Sequence, residues 1–242
     1  MSSRMSPHTA PMKRIGILGG SSDQATADYY RQLNAVVKAR LGGWNTAELV
    51  LTSMNFAFSE YCVRNERWEE MGEYLAGRAQ ALEGAGADFY LCVSNTLHRT
   101  APIFQAAVTI PFLHIAGPTA AAITAAGLKR VILLGTKAVM AGDFQRSKYE
   151  ELGISIVVPS DDDMNTIDRI IFNELCVGEF TAQARQDYLD IIDKLCAEGA
   201  EGVILGCTEI PLLIKQTDRP DIPMFDTMAL HVEAAVEMAL AA

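Results

Sequence analysis

Short runs of consecutive apolar residues alternate along the chain with longer stretches in which apolar positions recur every three to four residues. Arg14–Leu18, Leu49–Met54, Phe89–Val93, Val131–Leu134, Ile154–Val158 and Val203–Leu205 are the short runs. Several are apolar on both faces, which predicts strands covered on both sides rather than strands with one wet face. Ala25–Leu41, Arg67–Gly84 and Thr181–Glu198 carry the helical period and predict amphipathic helices between them. Strands alternating with helices predict an α/β fold of parallel sheets flanked by helices.

The pattern occurs twice. Ile15-Gly16-Ile17-Leu18-Gly19-Gly20-Ser21 opens the first half, and Val131-Ile132-Leu133-Leu134-Gly135-Thr136 opens the second. Ser94 lies 75 residues beyond Gly19, and Cys207 lies 72 beyond Gly135. Gly86-Ala87-Asp88 precedes Ser94 by the same interval as Gly199-Ala200-Glu201 precedes Cys207, and Ile110-Pro111-Phe112 answers Ile222-Pro223-Met224. Landmarks in common register predict a duplication: two similar lobes related by a pseudo-twofold. The first would span 12–112 plus 224–242, including a C-terminal helix Ala229–Ala241, and the second 113–223. Ligands of open parallel sheets bind beyond the carboxyl ends of the strands. Two such ends facing each other would bring Ser94-Asn95-Thr96 and Cys207-Thr208-Glu209 to opposite sides of one cleft.

Composition narrows the class. Of 242 residues, 50% are hydrophobic and 21% charged, the balance of a globular protein. A formal net charge of −10 repels phosphate backbones and argues against a nucleic-acid partner. No apolar run reaches the ~18 residues of a membrane span. Met1–Pro11 is polar, lacks the apolar core of a signal peptide and reads as a flexible leader, so a cytoplasmic location is expected. Five cysteines without a CxxC spacing make disulfides and a structural zinc improbable. Gly16, Gly19, Gly20 and Gly135 complete no dinucleotide fingerprint, and no His/Cys/Asp cluster has ligand spacing; neither a metal nor an organic cofactor is expected.

Val203-Ile204-Leu205-Gly206-Cys207-Thr208-Glu209-Ile210-Pro211 resembles the second signature of the aspartate/glutamate racemases, and Ser94-Asn95-Thr96-Leu97-His98 resembles the first. Ile17-Leu18-Gly19-Gly20 and Leu134-Gly135-Thr136 fit as well, and the resemblance runs from about Met12 to the C-terminus, nearest the broad-specificity amino-acid racemase branch. It implies a homodimeric, pyridoxal-phosphate-independent isomerase acting on a small-molecule amino acid. One base removes the Cα proton and a conjugate acid returns one on the opposite face. It further implies Cys207 as a thiolate base, its pKa lowered at a strand-to-helix turn. Asn95, Thr96 and Thr208 would hold the substrate carboxylate as charge builds on it.

Ser94 stands where the family has its first catalytic Cys. A hydroxyl is a poor base at neutral pH, although it can donate a proton or position a water or the carboxylate. Cys92, two residues earlier, lies roughly 6.6 Å down the strand and reads as core; Cys62, Cys176 and Cys196 read as structural. His98 either polarises a neighbour or supports its turn. Glu209 either orients Cys207, binds the substrate amino group or complements a helix dipole. Ser21 and Ser22 face the ligand or cap a helix, and Thr136 stands at the equivalent turn of the second half. Arg64 is a candidate for a distal carboxylate, with simple solvation the alternative. Thr166, Ala138 and Val139 replace the Lys, Tyr and Thr common in relatives, so the pocket is expected to be less polar than an aspartate racemase needs. A one-cysteine decarboxylase on the same scaffold and a non-catalytic binding protein are the competing readings.

Overall fold

The computed structural model describes residues 12–241, so the leader expected at Met1–Pro11 lies outside the described residues. The first half runs β1 (Ile15–Gly19), α1 (Asp23–Leu41), β2 (Leu49–Ser53), α2 (Phe56–Arg64), α3 (Trp68–Gly84), β3 (Phe89–Cys92), a 3-10 turn (Thr96–Thr100) and α4 (Ala101–Gln105), and α5 (Ala116–Ala125) then crosses to the second. The second continues with β4 (Arg130–Leu134), α6 (Lys137–Ala141), α7 (Asp143–Glu150), β5 (Ser155–Val157), α8 (Asp161–Asn173), a 3-10 turn (Leu175–Val177), α9 (Ala182–Ala197), β6 (Gly202–Leu205), α10 (Ile210–Leu213), β7 (Met224–Asp226) and α11 (Thr227–Leu240). Every predicted strand is present, with ends displaced by a residue or two. Side chains of polar residues decide where helices begin: Ser22 caps α1, Thr181 caps α9 and Asp226 caps α11 by accepting bonds from amides of the first turn.

Two parallel sheets result, ordered β2-β1-β3 and β5-β4-β6-β7. In the first sheet Phe112 bridges Tyr90 in parallel, at the place that β7 occupies in the second. The duplication extends to single hydrogen bonds. The Tyr90 amide donates to Pro111 O at 3.0 Å, and that of Val203 to Pro223 O at 2.9 Å. Asp88 accepts from the Arg14 amide at 2.6 Å, and Glu201 from the Arg130 amide at 2.9 Å. These matches carry the repeat from sequence into geometry.

The central strands of each sheet are covered on both faces, as the doubly apolar runs require, while edge strand β2 leaves Leu51 exposed. Along β1 and β3, Ile15, Ile17, Phe89 and Leu91 enter a core with α1 and α11, while Leu18, Tyr90 and Cys92 enter another with α3 and α4. The second sheet divides likewise: Ile132, Leu134, Val203 and Leu205 face α8 and α9, and Val131, Leu133 and Ile204 face α5 and α7. Fully buried aliphatic side chains of this kind contribute roughly 1.5–3 kcal/mol each.

The chain returns to its first half later than the sequence predicts. Met224–Asp226 pairs with β6 in the second sheet, because Ile222-Pro223 places its backbone beside an open strand edge. Only α11 packs on the first half, inserting Met228, Val232, Val236 and Ala239 against Tyr29, Leu33 and Val37 of α1. No helix among the described residues is long and apolar enough to cross a membrane.

Candidate active site

The reactive residues sit just past the carboxyl ends of β3 and β6, where each chain turns from strand into a helical segment. Two glycines set the adjoining turns. Gly20 has φ 94°, and a Cβ there would lie 2.3 Å from Met54 O, so only glycine lets Ser21 and Ser22 follow β1 into the site. A Cβ on Gly206 would lie 2.5 Å from Leu134 O, so the Cys207 turn is pressed directly onto β4.

One cavity, about 630 Å³ including its open mouth, is bounded by both halves. Ser21, Ser22, Arg64, Ser94, Asn95 and Thr96 line it from the first half, and Thr136, Cys207, Thr208 and Glu209 from the second. Ten of the eleven residues singled out from the sequence are thus brought to one space. His98 is the exception. Its Nδ1 donates to Ser94 O at 2.7 Å and its Nε2 accepts from the Ile115 amide at 3.2 Å, which fixes the neutral tautomer. Burial, and then the neighbouring His114 and His231, hold its pKa well below the usual histidine range. His98 therefore supports the Ser94 turn from behind, with both ring nitrogens already bonded to backbone.

Cys207 is not the preformed thiolate expected from its turn. Desolvation pushes its thiol well above the ordinary cysteine range, and the Glu209 carboxylate pushes it further. The opposing contribution, an amide from the same turn, is smaller, and α10 is only four residues long, too short to supply a strong dipole. Sγ donates to Glu209 Oε2 at 3.1 Å. The same carboxylate oxygen accepts from Thr208 Oγ1 at 2.7 Å, while Oε1 accepts from Ser22 Oγ at 3.4 Å. Glu209, only 6% exposed, thus orients Cys207 and is itself held by three donors. Ser22 lines the cavity and caps α1 as well, since its Oγ also accepts from the Ala25 amide at 3.2 Å.

Opposite, Ser94 Oγ accepts from the Leu97 amide at 3.4 Å. The Asn95 side chain, expected at a substrate carboxylate, is already engaged by structural partners. Its Oδ1 accepts from Gln145 Nε2 at 2.9 Å, and its Nδ2 donates to Thr227 Oγ1 at 3.0 Å, which in turn donates to Leu205 O at 2.9 Å. What Asn95 and Thr96 offer instead is backbone: neither amide N–H has a protein acceptor among the described residues. Thr96 Oγ1 meets Thr136 Oγ1 at 3.0 Å, so two hydroxyls assigned to substrate bond each other across the cavity.

The other cysteines divide. Cys92 is fully buried and pushed up to about 12 by desolvation, a core residue as expected. Cys176 departs from expectation: the 3-10 turn after α8 brings it to the cavity wall, with its thiol also raised to about 12, by burial first and Glu209 second. Val139 lies in the core and Ala138 beside a neighbouring groove, so their apolar character does not shape this wall. Arg64 borders the cavity, is paired with Glu60 one turn earlier on α2, and lies 5.2 Å over the Phe172 ring.

Gln145, Thr227, Phe172 and Cys176 gave no sequence signal, because their partners lie tens of residues away. The Glu60–Arg64 spacing of four on a helix was a readable one. Among the described residues, no group of three or more His, Cys, Asp or Glu side chains converges to hold a metal ion.

Residues 15–235 match the family described as Asp/Glu/Hydantoin racemase. Among solved structures, a candidate Asp/Glu racemase from Yersinia pestis is 39% identical over 95% of this chain and 100% of that one, with a TM-score of 0.89. PH1733, an aspartate racemase homologue from Pyrococcus horikoshii, is 36% identical over the same shares with a TM-score of 0.82. Picrophilus torridus aspartate racemase, at 24% identity over 94% of each chain and a TM-score of 0.72, shares the fold. With the family matched over nearly the whole chain, this protein belongs to the Asp/Glu/hydantoin racemases and is an enzyme of the isomerase class.

Proposed function

We propose that the protein racemises a free amino acid without an organic cofactor or metal, using Cys207 on one face of the substrate Cα and Ser94 on the other. The observation that supports this most directly is the thiol–carboxylate contact of 3.1 Å between Cys207 and Glu209, in a cavity whose other rim carries Ser94. Because the resting thiol is protonated, it needs a proton acceptor before it can act as a base. Glu209 is that acceptor: the thiol proton passes to Oε2 as the sulfur takes the Cα proton. The negative charge that develops on the substrate carboxylate is met by the free amides of Asn95 and Thr96 and by the hydroxyls of Thr96, Thr136 and Thr208. Substrate first replaces the Thr96–Thr136 bond, so these hydroxyls exchange one partner for another at little net cost.

Reprotonation on the far face falls to the Ser94 hydroxyl, which gives its proton to Cα as it takes one from a water, while the proton held on Glu209 returns to solvent and closes the balance. This is the weaker half of the pair. A thiol loses a proton far more readily than an alcohol, so removal of the proton from the Ser94 side is expected to limit one direction of the reaction.

The test is solvent-deuterium exchange at Cα, followed by NMR for both enantiomers of a panel of amino acids. Cys207→Ser is expected to abolish exchange. Undiminished exchange in that variant would refute the assignment. Carbon dioxide release from a substituted malonate, with no exchange of any amino acid, would favour a one-cysteine decarboxylase instead.

A further inference from the structure

Beyond the reacting groups, the cavity continues to a wall made by α2 and the end of α8. Phe56 and Val63 come from α2, Leu97 from the turn below, and Ile171 and Phe172 from α8. With the substrate carboxylate on the turn amides and Cα between Ser94 and Cys207, this wall is where a substrate side chain must lie. Two charged residues belong to it, Glu60 and Arg64, and they are ion-paired with each other on one helix face. The Arg64 guanidinium also covers the Phe172 ring at 5.2 Å, a cation–π contact that occupies one of its faces.

Exposed i,i+4 pairs of this kind contribute little to stability. Their consequence here is electrostatic. The charge of the wall sums to zero, and a second carboxylate brought to Arg64 would meet Glu60 at the same place. A distal carboxylate on the substrate must therefore displace Glu60 or endure it. An uncharged side chain meets mainly aromatic and aliphatic surface, with Ser59 and the Cys176 thiol as its neutral polar groups.

We infer that Glu60, by occupying Arg64, sets the substrate class: amino acids with uncharged, largely apolar side chains are taken in preference to aspartate and glutamate. This rests on the racemase reading above. It also reverses the role that the sequence suggests for Arg64, which becomes a latent rather than a working carboxylate site.

The experiment measures Cα deuterium exchange by the full-length enzyme with leucine, methionine, aspartate and glutamate, and repeats it with Glu60→Gln and with the double variant Glu60→Gln/Arg64→Met. Wild type is expected to exchange leucine or methionine faster than either acidic amino acid at equal concentration. Glu60→Gln should raise kcat/KM for glutamate or aspartate by about ten- to a hundredfold, the effect of removing one like charge a few ångströms away in a partly screened site. The double variant should lose the gain, because the freed guanidinium is what the new carboxylate would use. Wild-type exchange led by aspartate or glutamate, or a Glu60→Gln variant with an unchanged acidic-to-apolar ratio, would overturn the assignment while leaving the racemase reading intact. Exchange of no amino acid by the wild type would overturn both.

Discussion

Glu209→Gln separates two effects that pull in opposite directions. The variant keeps the size of the side chain and an acceptor oxygen, but removes the charge and with it the basicity. In the wild type that charge is the second largest reason, after desolvation, that the Cys207 thiol is raised. Removing it must make the thiol more acidic. If the thiolate alone did the work, the variant would therefore be faster near neutral pH. If Glu209 must accept the thiol proton across the 3.1 Å contact, the variant should be slower despite its more acidic cysteine. A positioned general base typically contributes ~10²–10⁴-fold, equivalent to about 3–5 kcal/mol of barrier. We expect exchange at the Cys207 face to fall by that order.

Two assays are needed together. The pH dependence of thiol alkylation reads the acidity of Cys207 and should move to lower pH in the variant. Deuterium exchange at Cα reads the chemistry and should fall. Exchange that rises in step with thiol acidity would refute the relay, and would leave Glu209 as a group that merely suppresses the thiolate.

Three further outcomes are expected. Ser94→Cys should speed the slower direction of racemisation and Ser94→Ala should depress net racemisation more than exchange at the Cys207 face, both read by circular dichroism against deuterium NMR; unequal effects on the position of equilibrium would show an artefact. Gln145→Met should strip the Asn95 side chain of its donor, lowering stability by roughly 1–3 kcal/mol in a denaturant titration, and a variant as stable as wild type would count against this network. Buried His231 and half-buried His114, each lowered to about 4 by desolvation, with buried His98 lowered as well, remain neutral in the folded protein. Between the ordinary histidine pKa of about 6.5 and that value the unfolded chain binds protons that the native protein refuses. Stability should therefore fall as pH drops from about 6.5 toward 4, by on the order of 3 kcal/mol for His231, and melts that are flat across this window would contradict the buried neutral cluster.

The periodicity of the sequence was sufficient for the architecture. Doubly apolar runs such as Val131–Leu134 can be satisfied only in a parallel sheet covered on both sides, and the spacing from each opening glycine to Ser94 and Cys207 carried the duplication. The turn residues were legible for the same reason: a strand ending and a helix beginning leave a local mark on the chain. Charge balance and side-chain commitment left no such mark. The acidity expected for Cys207 was reversed because desolvation first, and then the Glu209 carboxylate beside its sulfur, disfavour the thiolate. Asn95 was claimed by Gln145, 50 residues away, and His98 by the backbone on either side of it. Met224–Asp226 is too short to announce which sheet it joins, and only an unpaired edge on β6 recruits it. Whether a polar side chain faces a substrate or a structural partner depends on which groups the fold brings within 3 Å, and that is a property of tertiary proximity rather than of any segment.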